Sequence, residues 1–217
     1  MKNNENFQQK LDKKIEEITK TQQVPSLLLH VCCAPCSSYV LEYLSNFFKI
    51  TLFFYNPNIA PIEEFDKRVK ELKRFVQNFP TKYPVTVEVG AYCPEEFLQL
   101  AKGLESEPEG GGRCYRCYEQ RLRQTAVKCE QAGYDYFTTT LSISPYKRAD
   151  WLNEIGERLA GEYGIAYLVS DFKKKNGYKR SIELSQEYQL YRQDYCGCIY
   201  SKVERDERVR QKQEAEK

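Results

Sequence analysis

Leu27-Leu28-Leu29-His30-Val31-Cys32-Cys33-Ala34-Pro35-Cys36, residues 27–36, sets the architecture. Its first half is a short apolar run that predicts a buried strand over Leu27–Val31, and its second half is a cysteine-rich turn. Towards the C-terminus, Val40, Leu41, Leu44, Phe47 and Phe48 mark a helix, and Ile50–Tyr55 predicts a second strand closed by Asn56-Pro57-Asn58. Phe65, Val69, Leu72 and Val76 give a helical stripe, and Val85–Val89 a third strand. A short helix from Pro94 leads to an acidic, glycine-rich loop over Glu105–Gly112, and a long helix runs from Cys114 to a stop at Gly133. Tyr136–Leu141 and Ile165–Ser170 predict two more strands, separated by a helix bearing Leu152, Ile155 and Leu159. A basic loop, a helix over Ser181–Tyr191, a Cys-Gly-Cys turn and a charged tail follow. Towards the N-terminus, Phe7, Leu11, Ile15 and Ile18 stand at the spacing of an amphipathic helix.

Strands alternating with crossover helices predict an α/β fold, a parallel sheet covered on both faces. In such sheets the reactive site lies at the carboxyl ends of the strands, where Cys32-Cys33 and Asn56-Pro57-Asn58 both fall. The expected organisation is an N-terminal helix over 1–23, a single catalytic domain over 24–200 and a charged tail over 201–217.

The chain has 217 residues, 41% of them hydrophobic, enough for a full core without disulfide staples. Its N-terminus lacks the apolar segment of a signal peptide, and no apolar run could span a bilayer, so the expected compartment is the cytoplasm, where thiols stay reduced. Nine cysteines in that setting read as metal ligands or redox groups. The single histidine, His30, excludes Cys/His zinc fingers and multi-histidine sites. A formal net charge of +2 leaves any attraction to nucleic acid to local patches.

The cysteines fall into three groups. Cys32, Cys33 and Cys36 lie between a strand and a helix, and Cys114-Tyr115-Arg116-Cys117 opens another helix. Helix N-termini favour thiolates, the form that binds metal. Adjacent cysteines, whose side chains are expected to diverge, reach two irons of one cluster more easily than one tetrahedral ion. Four cysteines from the two turns would complete a [4Fe-4S] site. A zinc ion on four thiolates and a thioredoxin-like Cys33–Cys36 pair are the alternatives at this point. The third group, Cys196-Gly197-Cys198, can close a small, easily reduced disulfide ring and so suits a two-electron shuttle; an exposed pair without function is the alternative. Cys129, on an apolar helix face, reads as a buried inert thiol, and Cys93 is ambiguous.

His30-Val31-Cys32-Cys33-Ala34-Pro35, Tyr55-Asn56-Pro57-Asn58-Ile59, Glu107-Pro108-Glu109-Gly110, Arg113-Cys114-Tyr115-Arg116-Cys117 and Ser142-Ile143-Ser144-Pro145 are similar to segments of the QueH-type epoxyqueuosine reductases. So are Thr138-Thr139, Phe172-Lys173-Lys174-Lys175, Lys179-Arg180-Ser181-Ile182-Glu183-Leu184-Ser185, Tyr191-Arg192-Gln193 and Tyr195-Cys196-Gly197-Cys198, and the resemblance spans roughly 26–200 in order. It implies a Rossmann-like parallel sheet, akin to the adenine-nucleotide hydrolase-like group, with flanking helices and an added helical part. It also implies a [4Fe-4S] cluster on Cys32, Cys33, Cys114 and Cys117, and a redox-active pair at Cys196 and Cys198. The implied reaction is cobalamin-independent reduction of epoxyqueuosine to queuosine at the wobble position of a tRNA with a GUN anticodon, fed by an electron donor. Some relatives carry Asp where this chain has Cys36, which makes Cys36 a candidate ligand of an additional mononuclear iron.

Converting an epoxide to an alkene takes two electrons and removes the oxygen as water. A cluster that passes one electron at a time would be complemented by a dithiol storing two. Tyr195, Asp194 and His30 are candidate proton donors by sequence proximity. Lys173, Lys174, Lys175, Lys179 and Arg180 are candidates for phosphate contacts, with tyrosines stacking on unpaired bases; a lysine run read alone is a solvated loop. Two other classes stay open. A thiolating or adenylating tRNA enzyme would need a Gly/Ser-rich phosphate loop where Cys32–Cys36 stands. A zinc module that only binds RNA would have no use for Cys196 or Cys198.

Overall fold

Leu27 and Leu29 point to one side of the central strand and Leu28 to the other, and all three are fully enclosed. That is why an unbroken apolar run forms β1 (Ser26–His30): both faces are covered, so no alternation is required. Strand β2 (Lys49–Phe54) behaves alike, with Ile50, Leu52 and Phe54 on the first side and Phe53 on the second. Fully burying each such side chain stabilises the fold by about 1.5–3 kcal/mol.

In this computed structural model, which describes residues 6–215, the sheet has five parallel strands in the order β3-β2-β1-β4-β5. The others are β3 (Thr86–Val89), β4 (Tyr136–Thr139) and β5 (Ala166–Tyr167). The first five residues of the expected N-terminal helix and the last two of the expected tail lie outside the described residues. Helices α1 (Phe7–Thr21), α2 (Ala34–Leu44), α3 (Ile62–Asn78) and α7 (Gly177–Glu187) contribute to the core on one side. Helices α5 (Gly112–Ala132) and α6 (Ala149–Tyr163) cover the other. Leu11, Ile15 and Ile18 of α1 are buried in the main core, as their helical spacing predicts. The short α4 (Pro94–Ala101) precedes α5, and α8 (Ile199–Ala215) ends the described chain.

The α/β architecture matches the sequence reading, with three differences. The last strand shrinks from Ile165–Ser170 to two residues, because Asn153 of α6 takes over the backbone of Ser170: its side chain donates to the Ser170 carbonyl (2.9 Å) and accepts from its amide (3.0 Å). Strand β4 stops at Thr139 and tightens into a 3-10 turn, Thr140–Ile143, started by the Leu141 amide donating to Thr139 Oγ1. Residues 201–215, read as part of a charged tail, belong to α8.

Chain order reverses between β1 and β4, the point at which an open α/β sheet leaves a crevice above its carboxyl edge. The turn after β1 opens onto that crevice.

Candidate metal and redox centre

Two helix N-termini meet at this edge for a topological reason. Helix α2 leaves β1 there, and α5, which leads into β4, must run antiparallel to the strands and so begins there. Cys33 is the N-cap of α2, extended at φ −169°, and its sulfur accepts the Cys36 amide at 3.3 Å. Cys114 and Cys117 lie on the first two turns of α5. The loop before α5 is shaped to hold them: Glu107 accepts the Gly112 amide, Arg113 donates to the carbonyls of Leu104, Glu105 and Glu107, and the Gly110 amide donates to Cys114 Sγ at 3.3 Å.

The sulfurs of Cys32, Cys33 and Cys36 lie within 4.8 Å of one another and form a group able to hold a metal ion. Cys32 and Cys33 do not diverge, as adjacent side chains were expected to; their sulfurs are 3.8 Å apart, because the capping bond turns Cys33 back over the first turn of α2. The trio shares negative charge. Hydrogen bonds from Cys33 and Cys36 hold the Cys32 thiol well below its ordinary range, helped by the charges of Lys147 and Arg121. Burial pushes Cys33 up to about 12, and hydrogen bonding to Cys32 and Cys33 raises Cys36. Burial also raises Cys114, and takes Cys117 to about 12.

Buried cations ring these thiols. Arg68 and Arg121 are each 1% exposed, and each leaves one guanidinium nitrogen, Nη2, without a hydrogen-bond partner. Arg121 Nε donates to the Cys117 carbonyl at 3.2 Å and Nη1 lies 3.4 Å from Asn56 Oδ1. Burial opposes its charge, while Cys117, Cys196 and Cys32 favour it. Lys147, in the turn before α6, is partly exposed and has no ion pair among the described residues. Burial opposes its charge too, but Cys196, Tyr118 and Cys32 facing it raise it well above the usual lysine range. An unpaired buried guanidinium nitrogen costs upwards of about 1–3 kcal/mol, so these cations call for anionic charge beside them. Five thiols on two helix N-termini, with two buried arginines whose charge they favour, are a donor set that suits a thiophilic metal or an anionic iron–sulfur group.

The Cys-Gly-Cys turn is held by α3 and the loop before it. Arg68 Nη1 donates to the Cys196 carbonyl at 3.1 Å, and the Ala60 amide to the Gly197 carbonyl at 2.9 Å. Glu64 ion-pairs Arg68 at 2.6 Å and accepts the Tyr191 hydroxyl at 3.0 Å. Glu71 accepts the Tyr191 amide at 2.8 Å, and Arg74 donates to the carbonyls of Tyr188 and Gln189. The segment from Tyr188 to Cys198 is thus strapped along a charged helix face.

The candidate proton donors are each engaged by other partners. His30 is fully enclosed, with Nδ1 2.9 Å from Thr139 Oγ1 and Nε2 3.1 Å from the Tyr55 carbonyl; burial pushes it down to about 3, so it is a neutral tie between strands. Asp194 pairs with Arg205 at 2.6 Å, and the Tyr195 ring lies under Arg68 and Arg205. Lys147 and Tyr118 face the cysteines instead, and sequence reading passed over both. In the basic loop Lys173 pairs with Asp171 (2.6 Å) and Lys175 with Asp12 of α1 (2.7 Å), while Arg180 reaches Glu42 (2.6 Å). Lys174 and Lys179 are exposed and have no ion pair among the described residues. Cys129 is enclosed at the far end of α5, its sulfur 3.5 Å from the Tyr134 carbonyl, and Cys93 precedes α4.

Residues 27–204 match the family described as Epoxyqueuosine reductase QueH. A protein of that name from Streptococcus pyogenes serotype M1 is 48% identical over 179 residues, 82% of this chain and 70% of that one. Its namesake in Staphylococcus epidermidis is 43% identical over 206 residues, 93% of this chain and 87% of the other. One from Thermotoga maritima is 34% identical over 189 residues, 84% and 93%.

Proposed function

The chain belongs to the QueH family of epoxyqueuosine reductases and is an oxidoreductase; from that premise we propose that it reduces epoxyqueuosine to queuosine at the wobble position of a GUN-anticodon tRNA, with electrons passing through Cys196 and Cys198. The observation that carries the reading is that Lys147 and Arg121 each face both Cys32 and Cys196, so cysteines from the first and last parts of the chain share one charged site.

Cys32, Cys33, Cys114 and Cys117 would hold a [4Fe-4S] cluster and Cys36 an additional iron; when bound, these groups supply single electrons and a Lewis acid for the epoxide oxygen. The protein's own part is balanced as follows. Cys196 and Cys198 give up two electrons and two protons on becoming a disulfide; the epoxide takes up both and yields the alkene and water. Lys147, which has no carboxylate partner among the described residues, offers its Nζ protons to the departing oxygen. An electron donor then returns the disulfide to the dithiol. Lys174 in the basic loop and Lys179 on the first turn of α7, without ion pairs among the described residues, would contact tRNA phosphate, beside Lys173, Lys175 and Arg180, whose charges are shared with carboxylates.

A specific observation favours a second reading of the metal. Sulfurs 3.8 Å apart match the edge of a tetrahedron around one ion, ~3.8 Å for metal–sulfur bonds of about 2.3 Å. A four-iron cluster needs Cys32 and Cys33 on separate irons. Iron at about four or slightly more per chain, with acid-labile sulfide at about four, after anaerobic purification supports the cluster; stoichiometric zinc without sulfide replaces it. The activity itself is tested by nucleoside analysis of tRNA from cells lacking any other epoxyqueuosine reductase. Expression of this chain should convert epoxyqueuosine to queuosine without cobalamin; persistence of the epoxide while the protein carries its metal rejects the substrate.

A further inference from the structure

The two sulfurs of the Cys-Gly-Cys turn stand in different surroundings. Cys198 is 6% exposed and sits beside the apolar residues Phe97 and Ala101. It immediately precedes α8, and the Ser201 amide and hydroxyl each lie 3.3 Å from its sulfur, the arrangement of an N-cap. The Lys202 amide closes the turn on the Cys198 carbonyl at 3.1 Å. Cys196 is partly exposed, and among the described residues nothing is hydrogen-bonded to its sulfur. Its backbone is fixed by Arg68, and the charges of Lys147 and Arg121 face it. Gly197, at φ +117°, makes the reversal that leaves one thiol outside and the other seated on the helix.

We propose that Cys196 is the sulfur that meets the oxidised partner and Cys198 is the resolving thiol, parked on the first turn of α8. The assignment rests on the reading of this pair as redox-active, and it divides the labour within it. Exposure makes a thiol available for attack, whereas enclosure and a capping bond withhold one until its target sulfur is adjacent.

An aromatic disulfide, dithiobis(nitrobenzoate), tests this without any tRNA. The Cys196 thiolate attacks one sulfur of the reagent: a Cys196–aryl disulfide bond forms, the reagent's S–S bond breaks, and one aryl thiolate leaves with the electron pair. The Cys198 thiolate, its proton passed to water, then attacks Cys196 Sγ; the Cys196–Cys198 bond forms and a second aryl thiolate leaves. The dithiol is oxidised by two electrons and the reagent reduced by two.

Anaerobic, metal-loaded protein should release two aryl thiolates from this pair in one fast phase. Cys198→Ser should release one and keep a stable aryl adduct, which peptide mass spectrometry places on Cys196. Cys196→Ser should leave Cys198 reacting slower by on the order of tenfold or more, the effect of lost access. Iodoacetamide labelling of the reduced wild type should follow the same order, which guards against a variant that misfolds. Equal rates for the two thiols, or an adduct that forms on Cys198 as fast in Cys196→Ser as on Cys196 in Cys198→Ser, overturns the assignment. Because no substrate enters this assay, failure to reduce epoxyqueuosine would bear on the proposed function alone.

Discussion

Arg68, Arg113 and Arg121 are each 1% exposed, although arginine is among the residues least often enclosed. Each has a local answer for part of its charge: Glu64 for Arg68, Glu204 and three loop carbonyls for Arg113, a helix carbonyl and Asn56 for Arg121. What is left over on Arg68 and Arg121 is matched by the thiols. If the thiols hold iron as proposed, Arg121→Met should lower the amount retained per chain through anaerobic gel filtration, while Arg121→Lys keeps more of it; equal retention in all three proteins would make Arg121 a packing residue. His30 gives a second test. Enclosed, it is pushed from its usual 6.5 down to about 3, chiefly by burial and then by Arg121. Between those values the unfolded chain takes up a proton that the folded one refuses. Stability is lost as pH falls below 6.5, by about 1.4 kcal/mol per unit, until the folded ring itself titrates. Urea unfolding at pH 7 and pH 5 should show the wild type losing roughly 2 kcal/mol more than His30→Gln.

At the scale of elements, the Cys-Gly-Cys turn depends on the absence of a side chain at residue 197. A Cβ there would stand 3.0 Å from Arg68 Nη1 and 3.0 Å from Ile59 Cγ1, at a backbone angle few other residues adopt. Gly197→Ala should cost about 1–3 kcal/mol, visible as a lower melting temperature, and should slow closure of the Cys196–Cys198 disulfide. A melting temperature and closure rate equal to wild type would show that the turn can relax away from Arg68. Helix α7 starts under a similar constraint: a Cβ on Gly177 would lie 2.0 Å from the Phe172 carbonyl oxygen, a backbone atom that cannot step aside cheaply.

Across the whole molecule, the parts legible in the sequence were those with one-dimensional signals. The run from Leu27 to Val31 reads as a short buried strand, and Phe7, Leu11, Ile15 and Ile18 as one face of an amphipathic helix, and both elements form. Where side chains replace backbone pairing, as Asn153 does at Ser170, the strand's apolar pattern outlasts its ladder, and β5 was read too long. Helix α8 has no apolar stripe; its start is set by the local cap of Cys198 on the Ser201 amide and by Arg113 reaching Glu204 from far along the chain. The buried arginines were invisible because a charge on an amphipathic helix reads as solvent-facing until its partners are known. The basic loop shows the same limit for tRNA. If phosphate is held by the cations without carboxylate partners, Lys174→Ala with Lys179→Ala should reduce the slope of log affinity against log salt by about two. Lys173→Ala should change it less, and an effect of the opposite order would place the strand on the paired lysines. Lys175→Ala would also loosen α1, since Asp12 is its partner.

One amide carries this into a different observable. The Ser201 N–H rests on the sulfur of Cys198, whose own S–H donates to the Ser201 hydroxyl, and closing the disulfide removes that hydrogen and ties the sulfur to Cys196 instead. Deuterium should therefore enter the first turn of α8 faster when the pair is oxidised than when it is reduced. The solvent exchange of a single helix end would then report how many electrons the enzyme holds.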